Sequence, residues 1–147
     1  MKKFVLDTGI ILHYVRQTDL SQKIESELNL LSPKVLPLIA SVSIGEIEGF
    51  MQRRKWGEKK IKRFKSLISK IVVIDLAAED EKLMKSYATL WNYSKNSLPD
   101  QKLGKSIGIG QNDVWIAALA KTANAELVTS DSDFEHLNNT WITVHKF

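Results

Sequence analysis

Five carboxylates in this 147-residue chain sit in stretches that a fold could bring to one place. Asp7 ends the apolar run of FVLDTGI (4–10), Glu46 lies in SVSIGEIEG (41–49), Asp113 in GQNDVWIAALA (110–120), and Asp131 and Asp133 in VTSDSDF (128–134). Each alone has a local explanation. Asp7, Asp113, Asp131 and Asp133 are ordinary helix-start residues, and Ser43-Ile44-Gly45-Glu46 matches a capping box. Local capping does not explain why all of them should arrive at one edge of a sheet. Gathered there, two carboxylates about 4 Å apart repel by roughly 4 kcal/mol at an effective dielectric of 20. Several such pairs would rival the ~5–15 kcal/mol by which a domain is stable. No lysine or arginine lies within these motifs, so a divalent cation is the simplest neutraliser, and hard carboxylate oxygens suit Mg²⁺ or Mn²⁺. The chemistry expected of such a site is attack of a metal-activated water on a phosphodiester.

The elements that must position these acids are short apolar runs alternating with helical patterns. FVLD (4–7), VLPLIAS (35–41), IVVIDL (71–76), ELVTS (126–130) and WITVHKF (141–147) read as strands, IVVIDL most clearly, with Pro37 awkward in the second. Helical spacing covers 9–31 with a break near Thr18, then 43–55, 58–70, 78–95 and a nearly all-apolar helix over 114–123. SLPDQKLGKSIGIG (97–110) reads as a flexible link that is long for its place. Strand–helix alternation predicts right-handed crossovers and a mostly parallel sheet covered on both faces, an α/β/α sandwich. The carboxyl ends of its strands then carry Asp7, Ser41–Ser43 and Ser130-Asp131, where open α/β sheets place their ligands.

With 44% hydrophobic and 26% charged residues, the chain is read as one globular domain over 1–147. The absence of cysteine removes disulfides, thiolate metal sites and cysteine nucleophiles, and fits a cytoplasmic location. Asp7 interrupts the N-terminal apolar run, no small-residue cleavage site follows, and no segment is long enough to span a membrane. The net charge of +4 is unevenly spread. Nine basic residues between Met51 and Lys70 face the single acid Glu58, a local net of +8, while the rest of the chain nets −4. That asymmetry points to a polyanionic partner, with Arg53, Arg54, Lys59, Lys60 and Arg63 as candidate contacts.

The order VLDTGI, SIGEIEG, NDVWIAALA, VTSDSDF resembles the PIN-domain ribonucleases, and at this length the VapC toxins of bacterial and archaeal toxin–antitoxin pairs. The resemblance spans nearly the whole chain. It implies a parallel α/β/α sandwich, dependence on Mg²⁺ or Mn²⁺, endonucleolytic cleavage of RNA, a homodimer, and inhibition by a cognate antitoxin. By position, Asp7, Glu46, Asp113 and Asp131 match the family's catalytic and metal-holding acids, with Gly49 also in pattern and Asp133 assisting at the metal. One departure is Gly9, where many members carry an Asn that could orient the first acid; Thr8 is left to share that duty. Leu12, Tyr14, Val15, Phe50 and Met51 are candidates for the dimer or antitoxin surface.

Other signals carry less. His13, His136 and His145 lack the i, i+4 spacing of a zinc helix and read as structural or surface. Glu48 points to a different helix face from Glu46. Trp56 and Trp91 could stack on bases, but burial is the commoner fate of tryptophan. GIGQND follows no strand, so it is no dinucleotide fingerprint. A receiver domain needs a second acid beside the first strand, and a haloacid-dehalogenase-like phosphatase needs Asp at Gly9; neither is present. A PIN fold that holds RNA or a partner without cutting it remains the alternative to an enzyme.

Overall fold

A computed structural model describes residues 1–147. The chain runs β1 (Lys2–Leu6), α1 (Thr8–Arg16), α2 (Asp19–Leu28), β2 (Val35–Ala40), α3 (Ser41–Arg54), α4 (Glu58–Ile68), β3 (Val72–Ile74), α5 (Glu81–Ser94), α6 (Gln111–Thr122), β4 (Glu126–Thr129), a 3₁₀ turn (Ser132–Leu137) and β5 (Val144–Lys146). All five strands pair in parallel, in the order β3-β2-β1-β4-β5. Successive side chains of a strand point to opposite faces, and here both faces are apolar. Val5, Leu38, Ala40 and Leu127 join α5 and α6 in one cluster, while Phe4, Leu6, Ile39 and Val128 join α1, α2, α3 and α4 in the other. This is why the strands read as continuous apolar runs without alternation, and it makes the α/β/α sandwich expected from the alternation of elements.

β1 is the topological switch point. The chain builds outward from it through β2 and β3, then returns to place β4 and β5 on its other side. The crevice between the carboxyl ends of β1 and β4 is therefore the favoured ligand position in such a sheet, and Asp7 and Asp131 follow those two strands.

Several boundaries move from the sequence expectation. IVVIDL forms only the three-residue edge strand β3, with Val72 and Val73 43% and 39% exposed, so the most apolar run marks the edge of the sheet. Pro37 is tolerated because it lies opposite Phe4 of β1 but one residue ahead of the first rung with β3, at Leu38. The last strand is confined to Val144–Lys146, and residues 29–31 lie outside α2, which Asn29 ends in the left-handed conformation. The link over 97–110 is held in place. Ile107 N–H donates to Ser94 C=O, Gly104 N–H to Asn96 Oδ1, and Lys95 Nζ to the carbonyls of Ile107 and Ile109, while Leu98, Leu103 and Ile107 pack on the core. No helix is long and apolar enough to cross a membrane.

Candidate active site

Asp7 sits directly after β1, 7% exposed. Its Oδ1 accepts from the Thr8 amide at 2.8 Å, capping α1, and its Oδ2 accepts from the Thr129 hydroxyl at 2.7 Å. One carboxylate thus both caps α1 and bonds to the end of β4. Thr129 is the last residue of β4, and β1–β4 pairing sets it beside Asp7. Its oxygen also accepts from the Asp131 amide at 3.0 Å, tying the Asp131 turn to Asp7. Asp131 in turn caps the 3₁₀ turn, accepting from the Asp133 amide at 2.9 Å.

Glu46 does not complete the expected capping box. α3 begins at Ser41, two residues earlier than the sequence implied, with Ala40 as its N-cap, so Ser43 lies inside the first turn and Glu46 is released from capping. Thr8 Oγ1 stands 2.8 Å from both Glu46 Oε1 and Ser43 Oγ. A hydroxyl has one proton, and an ionised carboxylate can only accept, so Thr8 donates to Glu46 and accepts from Ser43. Thr8 thereby links Asp7, to which its amide donates, to Glu46, to which its hydroxyl donates. Asp113 lies in the first turn of α6, whose N-cap is Gly110; the helix opens at Gln111, three residues before the expected start.

Carboxylate oxygens of Asp113, Asp131 and Asp133 all lie within 4.8 Å of one another. Asp7 and Glu46 stand outside that trio but within its field. The Asp113 carboxyl is pushed up to about 7, first by burial and then by Asp7, Asp131, Glu46 and Asp133. Burial also pushes Asp7 upward, against the bonds from Thr129 and Thr8, and Asp131 and Glu46 add to the rise. No cation offsets this. The ion pairs of the protein, Lys2–Glu126 and Glu126 with His145, sit at the opposite end of β4 from Thr129 and Asp131. An all-oxygen donor set with unrelieved repulsion fits a hard divalent ion, with Asp113, Asp131 and Asp133 placed to hold it.

Sequence reasoning gave Ser43 only a capping role and did not single out Thr129; these are the two hydroxyls that bond to Thr8 and Asp7. The signal for Thr129 is its place at the end of a strand, two residues before an expected acid. At Gly9 a Cβ would meet Ser130 Oγ at 3.6 Å, ordinary contact, so the polar group beside that position is the Ser130 hydroxyl. The histidines stay outside the acids: His13 bonds Thr18, His145 bonds Glu126, and His136 bonds Ser94 and stacks on Tyr93. Glu48 is exposed, as expected for its helix face.

Most of the basic residues lie away from the acids, although Arg53 Nη1 reaches back to within 3.4 Å of where a Cβ on Gly49 would stand, three residues after Glu46. Arg53 and Arg54 end α3, with Arg54 eight residues past Glu46 and therefore about 12 Å farther along the helix axis. Lys59 and Arg63 line a groove of about 440 Å³ between α1 and α4 with Tyr14, Gln17, Lys62 and Lys70. Lys60 lies over the buried Trp56 ring at 4.5 Å; burial, then the charges of Arg16 and Arg54, push its ammonium downward. Among the candidate partner-surface residues, Leu12 and Val15 are core, 8% and 1% exposed, because α1 turns that face toward the sheet. Tyr14, Phe50 and Met51 are half-buried at the surface.

Comparison with known proteins agrees with this architecture. No curated protein is a significant sequence match. Among solved structures, VapBC2 from Rickettsia felis bound to a DNA fragment from its promoter superimposes with a TM-score of 0.76 at 22% identity, covering 99% of this chain and 98% of that one. VapBC-1 from nontypeable Haemophilus influenzae gives 0.73 at 22% identity, over 98% and 97%. VapBC-5 from Mycobacterium tuberculosis, of the VapBC family of toxin–antitoxin systems, gives 0.66 at 20% identity with both chains fully covered. The sequence model of the PIN domain matches residues 4–139, and with that match the chain belongs to the PIN-domain family.

Proposed function

We propose that residues 1–147 form a single PIN domain acting as a metal-dependent endoribonuclease, the toxin of a type II toxin–antitoxin pair in the cytoplasm. The observation that carries this reading is the uncompensated acidic group at the β1/β4 switch point, where Asp113 alone feels four other carboxylates. Asp113, Asp131 and Asp133 hold Mg²⁺ or Mn²⁺, and Asp7 and Glu46 complete the negative shell, directly or through water. The chemistry the ion supplies is charge neutralisation and Lewis-acid activation of water toward an RNA phosphodiester. The chain's own part is positional. Thr129 and Thr8 fix Asp7, Thr8 fixes Glu46, and the 3₁₀ turn fixes Asp131 against Asp133. Structural likeness to VapBC proteins supports an antitoxin partner. The test is RNA cleavage by the purified chain with Mg²⁺ or Mn²⁺ against an EDTA control. Binding without metal-dependent turnover would instead favour a non-catalytic RNA-holding module.

We also assign Arg53, Arg54, Lys59, Lys60 and Arg63 to the RNA backbone outside the cleft, since an acidic site repels phosphate and needs an attractive surface nearby. Replacing Lys59, Lys60 and Arg63 with Gln should weaken RNA binding across sequences and flatten its salt slope by up to about three units, less for single strands. An unchanged slope would return this surface to the role of a solvated helix. The chain is further expected to form a homodimer, bound to antitoxin through half-buried residues such as Tyr14, Phe50 and Met51. A monomer mass by light scattering at micromolar concentration would refute that.

A further inference from the structure

Asp113 sits in the one turn of α6 that the core does not hold. Val114 and the run Ile116–Ala120 are buried, whereas Gln111 and Asn112 are exposed and Asp113 is half-buried. That turn is preceded by the link over 97–110, which contains no helix or strand. Ordering such a segment costs conformational entropy, so its end has a fixed place only where bonds hold it. Those bonds come from Ser94, the last residue of α5, and Lys95, its C-cap. Lys95 Nζ donates to Ile107 C=O at 2.7 Å and to Ile109 C=O at 3.0 Å, and Ser94 C=O accepts from Ile107 N–H at 2.7 Å. Ile109 immediately precedes Gly110, the N-cap of α6.

Ser94 also reaches the other half of the acidic group. The residue is fully buried, and its hydroxyl hydrogen-bonds His136 Nε2 at 2.7 Å. His136 belongs to the 3₁₀ turn that carries Asp133 and is capped by Asp131. The end of α5 therefore bonds both segments that supply the trio Asp113, Asp131 and Asp133. Charge is not what joins Lys95 to these acids, because Asp113 and Asp7 feel other carboxylates and no cation.

We propose that Lys95 and Ser94 are positioning residues of the metal site, holding the link and the 3₁₀ turn on one helix end and so setting the spacing between Asp113 and the Asp131–Asp133 pair. The inference rests on the reading that these acids hold a divalent ion. Neither residue is a ligand: Lys95 acts through the carbonyls of Ile107 and Ile109, and Ser94 through Ile107 and His136. Groups one step behind the ligands typically control metal affinity by about 10- to 100-fold. Charge and position predict opposite signs here. Removing a cation near an acidic site tightens binding of a divalent cation if its charge is what matters, whereas removing Lys95 loosens binding if its bonds to the link are what matters.

The test is Mn²⁺ binding to the RNA-free chain, read from the free-ion signal in electron paramagnetic resonance at a temperature where circular dichroism shows each variant folded. Lys95→Met keeps the length of the side chain and loses its donors, and its Kd for Mn²⁺ should rise roughly 10-fold or more. Lys95→Arg retains donors for the two carbonyls and should stay within a few-fold of the parent. Ser94→Ala cuts only the arm to His136 and should also weaken binding. Lys105→Met, at an exposed residue of the same link, controls for lost charge and should leave Kd unchanged or slightly lower. A purely structural tie would lower the Tm of Lys95→Met and leave the Kd of the folded protein alone; that result overturns the proposal, as does tighter binding or an equal loss in Lys105→Met. Should Lys95→Met fail to fold, a parental Kd in Ser94→Ala overturns it instead. A parent that binds no Mn²⁺ sinks the proposal together with the metal reading, whereas a parent that binds and variants that match it sink the positioning role alone. Weakened Mn²⁺ binding in Lys95→Met of a chain that never cuts RNA would sink the ribonuclease reading and leave the positioning role standing.

Discussion

Asp113→Asn should abolish Mg²⁺- or Mn²⁺-dependent RNA cleavage, lowering kcat by about 10²- to 10³-fold while the protein stays folded. The substitution keeps the size and one oxygen of the side chain and removes its charge, the property a divalent ion needs. Loss of roughly 3–4 kcal/mol of charge stabilisation corresponds to that fall in rate. Asp7→Asn should act similarly. Its remaining oxygen can still accept from the Thr8 amide, and the Thr129 hydroxyl can turn to accept from the new side-chain amide. Glu48→Gln supplies the control, being two residues from Glu46 but solvent-exposed. Initial rates on a long unstructured RNA, with circular dichroism on each variant, would decide the matter. Near-parental rates for Asp113→Asn or Asp7→Asn would mean the acids are not the reaction centre, and a comparable loss in Glu48→Gln would mean the effect is not specific to them.

The architecture was legible because its cause is local. Phe4-Val5-Leu6 and Leu38-Ile39-Ala40 have no polar partner on either face, and that forces them between two helical layers. The places where acids follow strands could be read from the same runs. What sequence could not supply was pairing across the fold. Ser43 and Glu46 satisfy a capping rule by spacing alone, yet Ala40 is free to start α3 earlier, and Glu46 is then held by Thr8, 38 residues away in sequence. Thr129 looked like one more strand residue until β4 lay beside β1. IVVIDL misled for a related reason: apolarity reports a preference for burial, while the edge position of β3 is set by how many strands the chain goes on to add. The basic run was visible as charge, but only the length of α3 revealed that most of it lies beyond the cleft.

Without metal, the protein should become more stable as pH falls from 8 toward 5, and Asp113→Asn should remove part of that dependence. The sign follows from linkage. Asp113 has an ordinary carboxyl value of 3.8 and is pushed up to about 7 in the folded chain, so the folded state holds this proton more tightly than the unfolded one. Its favourable contribution is complete below about pH 4 and is lost as pH rises through about 7. Asp7 is raised in the same direction, chiefly by burial. Asp113 is only half-buried, so solvent screening reduces the penalty of its ionisation at pH 8 to about 1–2 kcal/mol. For a chain of this length that corresponds to a Tm higher by about 2–8 °C in Asp113→Asn than in the parent at pH 8, shrinking to nothing near pH 4. Comparing variant with parent cancels the titration of groups remote from this cluster, while the four carboxylates coupled to Asp113 contribute to the difference together with it. The same charge deficit predicts the effect of metal: saturating Mg²⁺ or Mn²⁺, at about 100 times its Kd, should stabilise the parent by roughly 2.7 kcal/mol at pH 8. That gain should fade at pH 5, where Asp113 carries a proton that competes with the ion, and should be much smaller in Asp113→Asn at any pH. Differential scanning calorimetry in EDTA and in excess Mn²⁺ reads all of these quantities. A parent whose Tm in EDTA falls between pH 8 and pH 5 more steeply than that of Asp113→Asn would reverse the sign, and the acids would then already be paired with a cation from the protein itself.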